Sequence, residues 1–330
     1  MLLRSCRSCR ITLAAVAFLA AGIAPRAAQA QAYPNKPIRV IVSFAPGGNA
    51  DVTTRIVAAK MTNTMGQTLV VVNRPGAAGN IGMAETAKSA ADGYTIVMMP
   101  SVTPLNTLFS SNTGFDLERD FVPIGAMTST ALVLAVPIGM PVRNLKEFVE
   151  YARRSSRPMA YGSGGLGSGS HLTAELLAMK TGLKFTHVPY KGGASAITDV
   201  MGGVTDLFFD TLVSSAALVN TGKIKVLAVT TGERSSLLPD VPTFAAEGYP
   251  DFSDVFIWIG LSAPRGTDPA IVSLLNRHLN QALTDPEVKP KLTAIGAVAI
   301  PSTPERFGQI VKAEVERWAG VIKAANIKPQ

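Results

Sequence analysis

The sequence predicts an α/β fold, because β-rich runs and segments of helical periodicity alternate along it with glycine-rich turns between them. An apolar run at 38–44 leads into the turn APGG, and a helical pattern follows at 52–65. The same succession returns with a run at 157–163, a Gly/Ser loop at 164–170 and a helical pattern at 171–181. Alternation on this length scale is typical of a parallel sheet covered by helices.

The chain contains two such units in the same order. The first is predicted to have strands at 38–44, 69–73 and 94–100 and helices at 52–65 and 81–90, and the second strands at 157–163, 183–190 and 205–211 and helices at 171–181 and 196–203. Their first Gly loops are about 118 positions apart, and we interpret the two units as similar α/β lobes.

Two further strand-like runs, at 132–137 and 256–264, predict that the chain crosses between the lobes twice, near 131 and near 255. Two crossings form a hinge rather than a simple linker. The predicted division is a first part of lobe 1 at 31–130, lobe 2 at 131–255, and a return to lobe 1 at 256–330 that ends in amphipathic helices.

The N-terminus has the pattern of a secretory signal peptide at 1–30. MLLRSCRSCR carries three arginines and no acid, the apolar stretch ITLAAVAFLAAGIA is short for a membrane span, and RAAQAQA offers small residues for cleavage near Ala30 or Ala32. The alternative for this stretch is a membrane anchor. Cys6 and Cys9 would leave with the signal, so the mature chain needs no disulfide, which suits a bacterial periplasm.

The two Gly loops predict an anion site. FAPGG (44–48) and YGSGGLGSGS (161–170) each follow a strand and open a helix. Ligands of a parallel sheet bind beyond the carboxyl ends of its strands, where helix N-termini present free N–H groups and a positive dipole. Glycines let the backbone approach a ligand closely, so two such loops facing each other would hold a compact anion without a Lys or Arg.

Several other classes of function find no support in the sequence. The net charge of +8 falls to +4 when the four arginines of the signal are removed, which gives no indication of nucleic-acid binding. FAPGGNAD lacks the Lys and Ser/Thr of a P-loop, and the G-x-G-x-x-G at 162–167 lacks the acid that a dinucleotide site needs. No His, Asp or Glu cluster has metal spacing and no G-x-S-x-G elbow occurs, so we expect no cofactor, no metal and no enzyme activity.

Several blocks of the sequence resemble the Bug receptors, the periplasmic solute-binding proteins of tripartite tricarboxylate transporters. The blocks are YPNKPIRVIVSFAPGGNAD, VVNRPGAAGNIG, ADGYTIVMM, VPYKGGASAITDVMGG, LPDVPTFAAEGYPDF and APRGT. Several of them occur in the family's order, and the resemblance covers nearly all of 33–330. The resemblance implies a type II periplasmic binding protein fold, with two doubly wound lobes joined by a two-strand hinge. It also implies that both Gly loops bind a ligand carboxylate through backbone amides and ordered water.

The candidate ligand-binding residues come from the two loops and from the ends of neighbouring strands. Those in or beside the first unit are Phe44, Ala45, Pro46, Gly47, Gly48, Asp51 and Ser101, and those in the second are Ser163, Gly164, Gly165, Ser168, His171 and Asp210. For some of them a structural role competes with ligand contact. Asp51 lies in the first turn of a predicted helix, where the helix dipole favours an acid. Phe44 could line the pocket or pack in the core. Asp210 lies in an apolar strand, where a carboxylate is costly unless paired or hydrated, so we expect it at the cleft.

Together with these patterns, the resemblance implies a monomeric periplasmic receptor that closes on a small organic carboxylate and delivers it to the membrane subunits of a tripartite tricarboxylate transporter. The ligand could be a dicarboxylate, a tricarboxylate, an amino acid or an aromatic acid, because backbone amides recognise only the shared carboxylate. Two alternatives stay open at this point: an exported enzyme that uses His171 or Asp210, and a ligand-binding partner of a signalling receptor. Lys191 could attract an anion or be a solvated charge at the rim.

Overall fold

A computed structural model describes residues 33–109, 112–190 and 192–327 of the chain. The predicted signal peptide at 1–30, with Cys6, Cys9 and both candidate cleavage positions, lies outside the described residues, as does Lys191. The residues from Lys36 onward form one compact unit.

The described residues form ten strands in chain order. They are β1 (Ile38–Val42), β2 (Leu69–Asn73), β3 (Thr95–Pro100), β4 (Phe121–Pro137), β5 (Met159–Ser163), β6 (Phe185–Pro189), β7 (Leu207–Thr211), β8 (Ile224–Val229), β9 (Phe256–Pro264) and β10 (Val298–Ala299).

Eleven α-helices occur in the same part of the chain. They are α1 (Asn49–Met65), α2 (Asn80–Ala87), α3 (Val102–Phe109), α4 (Leu117–Asp120), α5 (Leu145–Arg154), α6 (Gly169–Thr181), α7 (Gly193–Met201), α8 (Leu212–Asn220), α9 (Pro269–Thr284), α10 (Val288–Ala294) and α11 (Pro304–Ala324). Short 3₁₀ turns lie at Ala77–Gly79 and Pro250–Phe252.

The sheet repeats one strand order in its two halves. In the first half β2, β1 and β3 are parallel neighbours, and β9 closes the order antiparallel to β3. In the second half β6, β5 and β7 are parallel neighbours, and β4 closes the order antiparallel to β7. This matches the predicted α/β fold with two doubly wound lobes. Because β1 and β5 have equivalent places, the loops that follow them lie at equivalent carboxyl ends.

Strand β4 connects the two halves. Its residues Phe121–Ala131 pair with β9, and Leu132–Ala135 pair with β7. The strand predicted at 132–137 was therefore too short, because the structure extends it back to Phe121. The missed part carries Pro123, Gly125 and two shifts of register against β9, and these features interrupt the alternation that indicates a strand. The lobe boundaries at 131 and 255 stay a prediction.

The sequence patterns also missed α3, α4, α5 and α8 and placed some helix starts late. Helix α1 begins at Asn49 and α6 at Gly169, each two or three residues before its predicted start. The residues between the observed and the predicted starts of α1 and α6 are small or polar and show no apolar periodicity. The preceding turn therefore determines where each helix begins. Both helices end as predicted at a glycine in the left-handed conformation, Gly66 and Gly182.

The core is built from large apolar side chains on both faces of the sheet. Trp258 of β9 packs edge-on against Phe307 of α11, with the ring centroids 5.3 Å apart. In the second half Phe244 and Phe252 stack at 4.3 Å beside Phe209. These clusters hold the strands rigidly and so position the loops at the strand ends.

Candidate functional site

A cleft of about 530 Å³ lies between the loops that follow β1 and β5, a volume typical of small-molecule sites. The first unit contributes Phe44, Asn49, Ala50, Ala78, Pro100, Ser101, Val102, Leu105 and Asn106. The second contributes Leu132, Gly164, Leu166, Ser168, Gly169 and Thr173, and the return strand with the last helix adds Val255, Phe256, Ile257, Ile259, Glu314 and Trp318. The walls are thus mainly apolar, and the starts of both α1 and α6 border the cleft.

The buried carboxylate of Asp51 stabilises the loop after β1 through hydrogen bonds. Its Oδ2 accepts a hydrogen bond from the Gly47 N–H at 2.9 Å and another from Arg55 Nε at 2.9 Å. Its Oδ1 accepts from Asn73 Nδ2 at 2.8 Å, and the same amide also donates to the carbonyl of Phe44. Burial alone would raise the pKa of Asp51, but the hydrogen bonds from Arg55, Gly47 and Asn73 outweigh it and lower the pKa to about 2. The side chain is therefore a carboxylate committed to its own loop.

The start of helix α1 remains open toward the cleft. Its N-cap is Gly48, which has no side chain to cap the helix. Among the described residues no hydrogen bond engages the N–H groups of Asn49 and Ala50, and both residues border the cleft. These are the orphan donors at the positive end of a helix dipole, and they suit a carboxylate.

The loop after β5 is held by its own hydroxyl groups. Gly164 N–H donates to Ser170 Oγ at 3.0 Å, and Gly165 N–H donates to Ser163 Oγ at 3.1 Å. Ser168 caps helix α6 by accepting from the His171 N–H at 3.3 Å. Most N–H donors of the loop are therefore engaged in hydrogen bonds within the loop. The N–H of Gly169, the first residue of α6, has no hydrogen-bond partner among the described residues.

His171 lies beneath this loop rather than at its surface. Its Nδ1 accepts a hydrogen bond from the Gly167 N–H at 3.0 Å. The ring stacks on His187 with centroids 4.1 Å apart, and His187 stacks on Tyr161 at 4.8 Å. Burial lowers the pKa of His171 to about 4, with a smaller contribution from His187, and burial also lowers the pKa of His187. Both imidazoles are neutral near pH 7, and one of them serves as a hydrogen-bond acceptor for the loop.

The structure brings only some of the predicted site residues to the cleft. Phe44, Ser101, Gly164 and Ser168 border it. Residues 45–48 form the exposed turn before α1, and Gly165 belongs to the turn that Ser163 and Ser168 hold together. Ser163 is buried and its Oγ lies 2.6 Å from His187 Nε2. Ligand contact by these residues stays a prediction.

Asp210 is buried at the end of β7 and is not among the residues that border the cleft. Its Oδ2 accepts a hydrogen bond from Ser215 Oγ at 2.8 Å. Burial raises its pKa, although hydrogen bonds from Ser215, Ser214 and the Thr211 backbone act in the opposite direction. The hydroxyl groups of α8 thus provide the partners that a buried carboxyl in an apolar strand requires.

Sequence reasoning missed Glu314 and Trp318 of α11. Glu314 is 8% exposed, and its Oε1 accepts from Trp318 Nε1 at 2.8 Å. A signal was present in the sequence, because positions 307, 314, 318 and 321 share the buried face of the helix and one of them is an acid. Asn49 and Asn106 were missed for a different reason, since nothing in the local pattern indicates that the first residue of α1 and a residue within α3 border the cleft.

The sequence matches the TctC family, described as the tripartite tricarboxylate transporter family receptor, over residues 53–327. BugT from Bordetella pertussis is 36% identical over 301 residues, which cover 91% of this chain and 92% of BugT. The chain belongs to this family of Bug receptors.

Solved structures of family members are similar along nearly the whole chain. An R. palustris protein solved with adipate is 35% identical, with a TM-score of 0.78, and the match covers 90% of this chain and all of that one. MatC from Rhodopseudomonas palustris with bound malate is 30% identical, with a TM-score of 0.74 and coverage of 88% and 100%. The fold is therefore that of the periplasmic binding proteins, as the resemblance implied.

Membership of this family makes the chain a periplasmic solute-binding receptor and not an enzyme, which removes the exported enzyme as an alternative. Within the residues that the structure describes, no helix combines the length and apolar character required to cross a membrane. The same residues contain no group of His, Cys, Asp and Glu side chains that could hold a metal ion.

Proposed function

We propose that the protein captures a small organic carboxylate in the cleft between the β1 and β5 loops and closes on it by bending at β4 and β9. It then delivers the ligand to the membrane subunits of a tripartite tricarboxylate transporter. The observation that carries this proposal is the open N-terminus of α1, whose free N–H groups at Asn49 and Ala50 border the cleft. A carboxylate there gains hydrogen bonds and a favourable interaction with the helix dipole.

The composition of the cleft supports a ligand that is small and partly apolar. None of the described residues bordering it is Lys or Arg, and these residues offer a carboxylate N–H groups, hydroxyl groups and sites for bridging water. Relatives solved with adipate and malate support the same ligand class. Contacts from both halves of the sheet would favour the closed state, because a ligand shifts the equilibrium by its differential affinity for the two states.

A thermal-shift series over mono-, di- and tricarboxylates, amino acids and aromatic acids tests the site. A ligand that binds only the folded protein, at a hundred times its Kd, adds about 2.7 kcal/mol and raises the Tm by several degrees. Gly164→Val should abolish the shift, because Gly164 borders the cleft. Gly139→Val is the matched control, since a Cβ at Gly139 meets nothing within 4 Å and the residue lies outside the cleft. A shift that survives in Gly164→Val would place the site elsewhere.

The delivery step requires a cellular experiment. Deleting the gene should abolish uptake of the compound that the thermal series identifies, and expression of the wild-type protein should restore it. Unchanged uptake together with loss of a transcriptional response to the compound would favour the signalling alternative.

A further inference from the structure

Glu314 is the one ionisable side chain among the described residues that border the cleft. It lies in the middle of α11, on the same buried face as Phe307, Trp318 and Val321. None of the ion pairs among the described residues includes it, and its hydrogen bond comes from the indole of Trp318. An acid without a cationic partner therefore faces an apolar cleft.

A purely structural role does not explain an acid at this position. Glutamine would accept the same hydrogen bond from Trp318 Nε1 without carrying a charge that is costly to bury. Burial raises the pKa of Glu314 to about 7, and the hydrogen bond of Trp318, the charge of Arg317 and the indole of Trp258 only partly oppose this. The positive charge of Arg317 is thus too weak to offset burial of the carboxylate, and a cationic ligand that enters the cleft would supply more.

The surroundings of Glu314 suit a cationic group. The aromatic rings of Trp318 and Phe256 border the same cleft, and Phe44 borders it beside the first loop. Aromatic faces attract ammonium groups, and the attraction is larger where water is excluded. The remaining walls, which include Leu105 and Ile257, would accommodate a methylene chain.

Building on the carboxylate site proposed above, we propose that Glu314 makes this receptor select ω-amino carboxylates. The ligand carboxylate binds at the open start of α1, and the ligand ammonium donates hydrogen bonds to Glu314. A dicarboxylate of the same length would bring a second negative charge to Glu314 and is disfavoured by like-charge repulsion.

Isothermal titration of the purified wild-type protein with matched ligand pairs tests this assignment. The pairs are 3-aminopropanoate with succinate, 4-aminobutanoate with glutarate, and 5-aminopentanoate with adipate, and pentanoate serves as the ligand with no polar far end. We expect the amino member of the best-fitting pair to bind at least tenfold more tightly than its dicarboxylate. Glu314→Gln should weaken the amino ligand at least tenfold, strengthen the dicarboxylate, and leave pentanoate bound at least as tightly.

Glu316→Gln is the matched control, because it removes the same charge from an exposed position of the same helix and should change no ratio. Binding of pentanoate to Glu314→Gln shows that the variant is folded and that its loops are competent. An unchanged ratio of amino to dicarboxylate affinity in Glu314→Gln, or a wild-type preference for dicarboxylates, overturns the role of Glu314 while the carboxylate receptor stands. Absence of binding by every carboxylate in the panel would instead overturn the proposed function itself.

Discussion

The loops after β1 and β5 perform the same structural task with different chemistry. In each, a glycine with positive φ donates its N–H to the side chain four residues later, from Gly47 to Asp51 and from Gly167 to His171. The acceptor is an ionised carboxylate in the first loop and a neutral imidazole in the second. The two equivalent turns therefore share a hydrogen-bond acceptor on the side chain four residues after the glycine, although the residue type at that position differs.

The two loops also differ in the charge that they carry and in whether the helix that follows is capped by a side chain. Asp51 brings a negative charge close to a proposed anion site, but Arg55 and Asn73 hold that carboxylate and direct it into the loop. Ser168 closes the start of α6, whereas Gly48 leaves the start of α1 open. The first loop thus leaves backbone N–H donors free at the start of α1, whereas the second loop engages most of its donors in hydrogen bonds of its own.

The largest contrast is expected from adding a methyl group to the equivalent glycines. A Cβ at Gly167 would lie 2.8 Å from Phe109 Cε2, and the residue has a φ of +73°. A Cβ at Gly47 meets nothing within 4 Å, although its φ is +81°. We expect Gly167→Ala to reduce the free energy of unfolding by about 3 kcal/mol, from overpacking and left-handed strain, and Gly47→Ala by about 1 kcal/mol, from strain alone.

Urea unfolding of both variants beside the wild type measures this difference. Adding Phe109→Leu to Gly167→Ala should recover part of the loss by removing the ring edge. Equal losses at the two glycines would mean that the contact with Phe109 does not constrain the second loop.

The two acceptors should also titrate in different pH ranges. The folded pKa of His171 is about 4 against an ordinary value of 6.5, so the unfolded chain binds the proton first. The contribution of His171 to stability is therefore present above about pH 6.5 and falls by about 2 kcal/mol between pH 7 and pH 5. His187 acts in the same direction, whereas Glu314, whose pKa is raised to about 7, gains stability as the pH falls and acts in the opposite direction. Asp51, with a pKa of about 2 against 3.8, loses its contribution only below about pH 4.

Urea unfolding from pH 7.5 to pH 3 separates the two ranges. His171→Asn provides an oxygen that can accept from Gly167 and does not titrate, so its free energy of unfolding relative to the wild type should rise by about 2 kcal/mol from pH 7 to pH 5. Asp51→Asn should leave that range unchanged and alter the profile only below about pH 4. A profile in His171→Asn that matches the wild type would assign the loss to other groups.

The smallest effect on stability is expected from exchanging the helix caps. Ser168→Ala removes the cap of α6 and should cost about 1 kcal/mol, whereas Gly48→Ser gives α1 a cap and should add a few tenths of a kcal/mol. The backbone at Gly48 has a φ of −73° and a ψ of 163°, and a Cβ there meets only the Ala45 carbonyl oxygen, at 3.7 Å, so serine fits. Because its hydroxyl would occupy a donor proposed for the ligand, Gly48→Ser should weaken carboxylate binding about tenfold.

Thermal melts and titration with the tightest carboxylate of the panel measure both sides of this exchange. Gly48→Ala is the control, since it adds the Cβ without an acceptor and should retain more affinity than Gly48→Ser. Full affinity in Gly48→Ser would show that the open start of α1 does not bind the carboxylate.

The sequence alone determined the features that depend on local chemistry. The α/β alternation, strand β2 at Leu69–Asn73, strand β9 at Phe256–Pro264 and the glycine ends of α1 and α6 follow from periodicity and from the freedom of glycine at positive φ. The quoted blocks around the loops indicated the family, and the position of both loops at strand ends followed from the repeat.

Only the tertiary structure decided which side chains face the cleft. Asp51 and His171 were candidates for the ligand, yet they fold back onto their own loops, because the N–H groups of Gly47 and Gly167 need acceptors. Glu314 is more than a hundred residues away in the chain from both Gly loops, and it borders the cleft because α11 packs against α3 and α6. Local sequence specifies which groups could bind an anion, while long-range packing selects which of them remain free to do so.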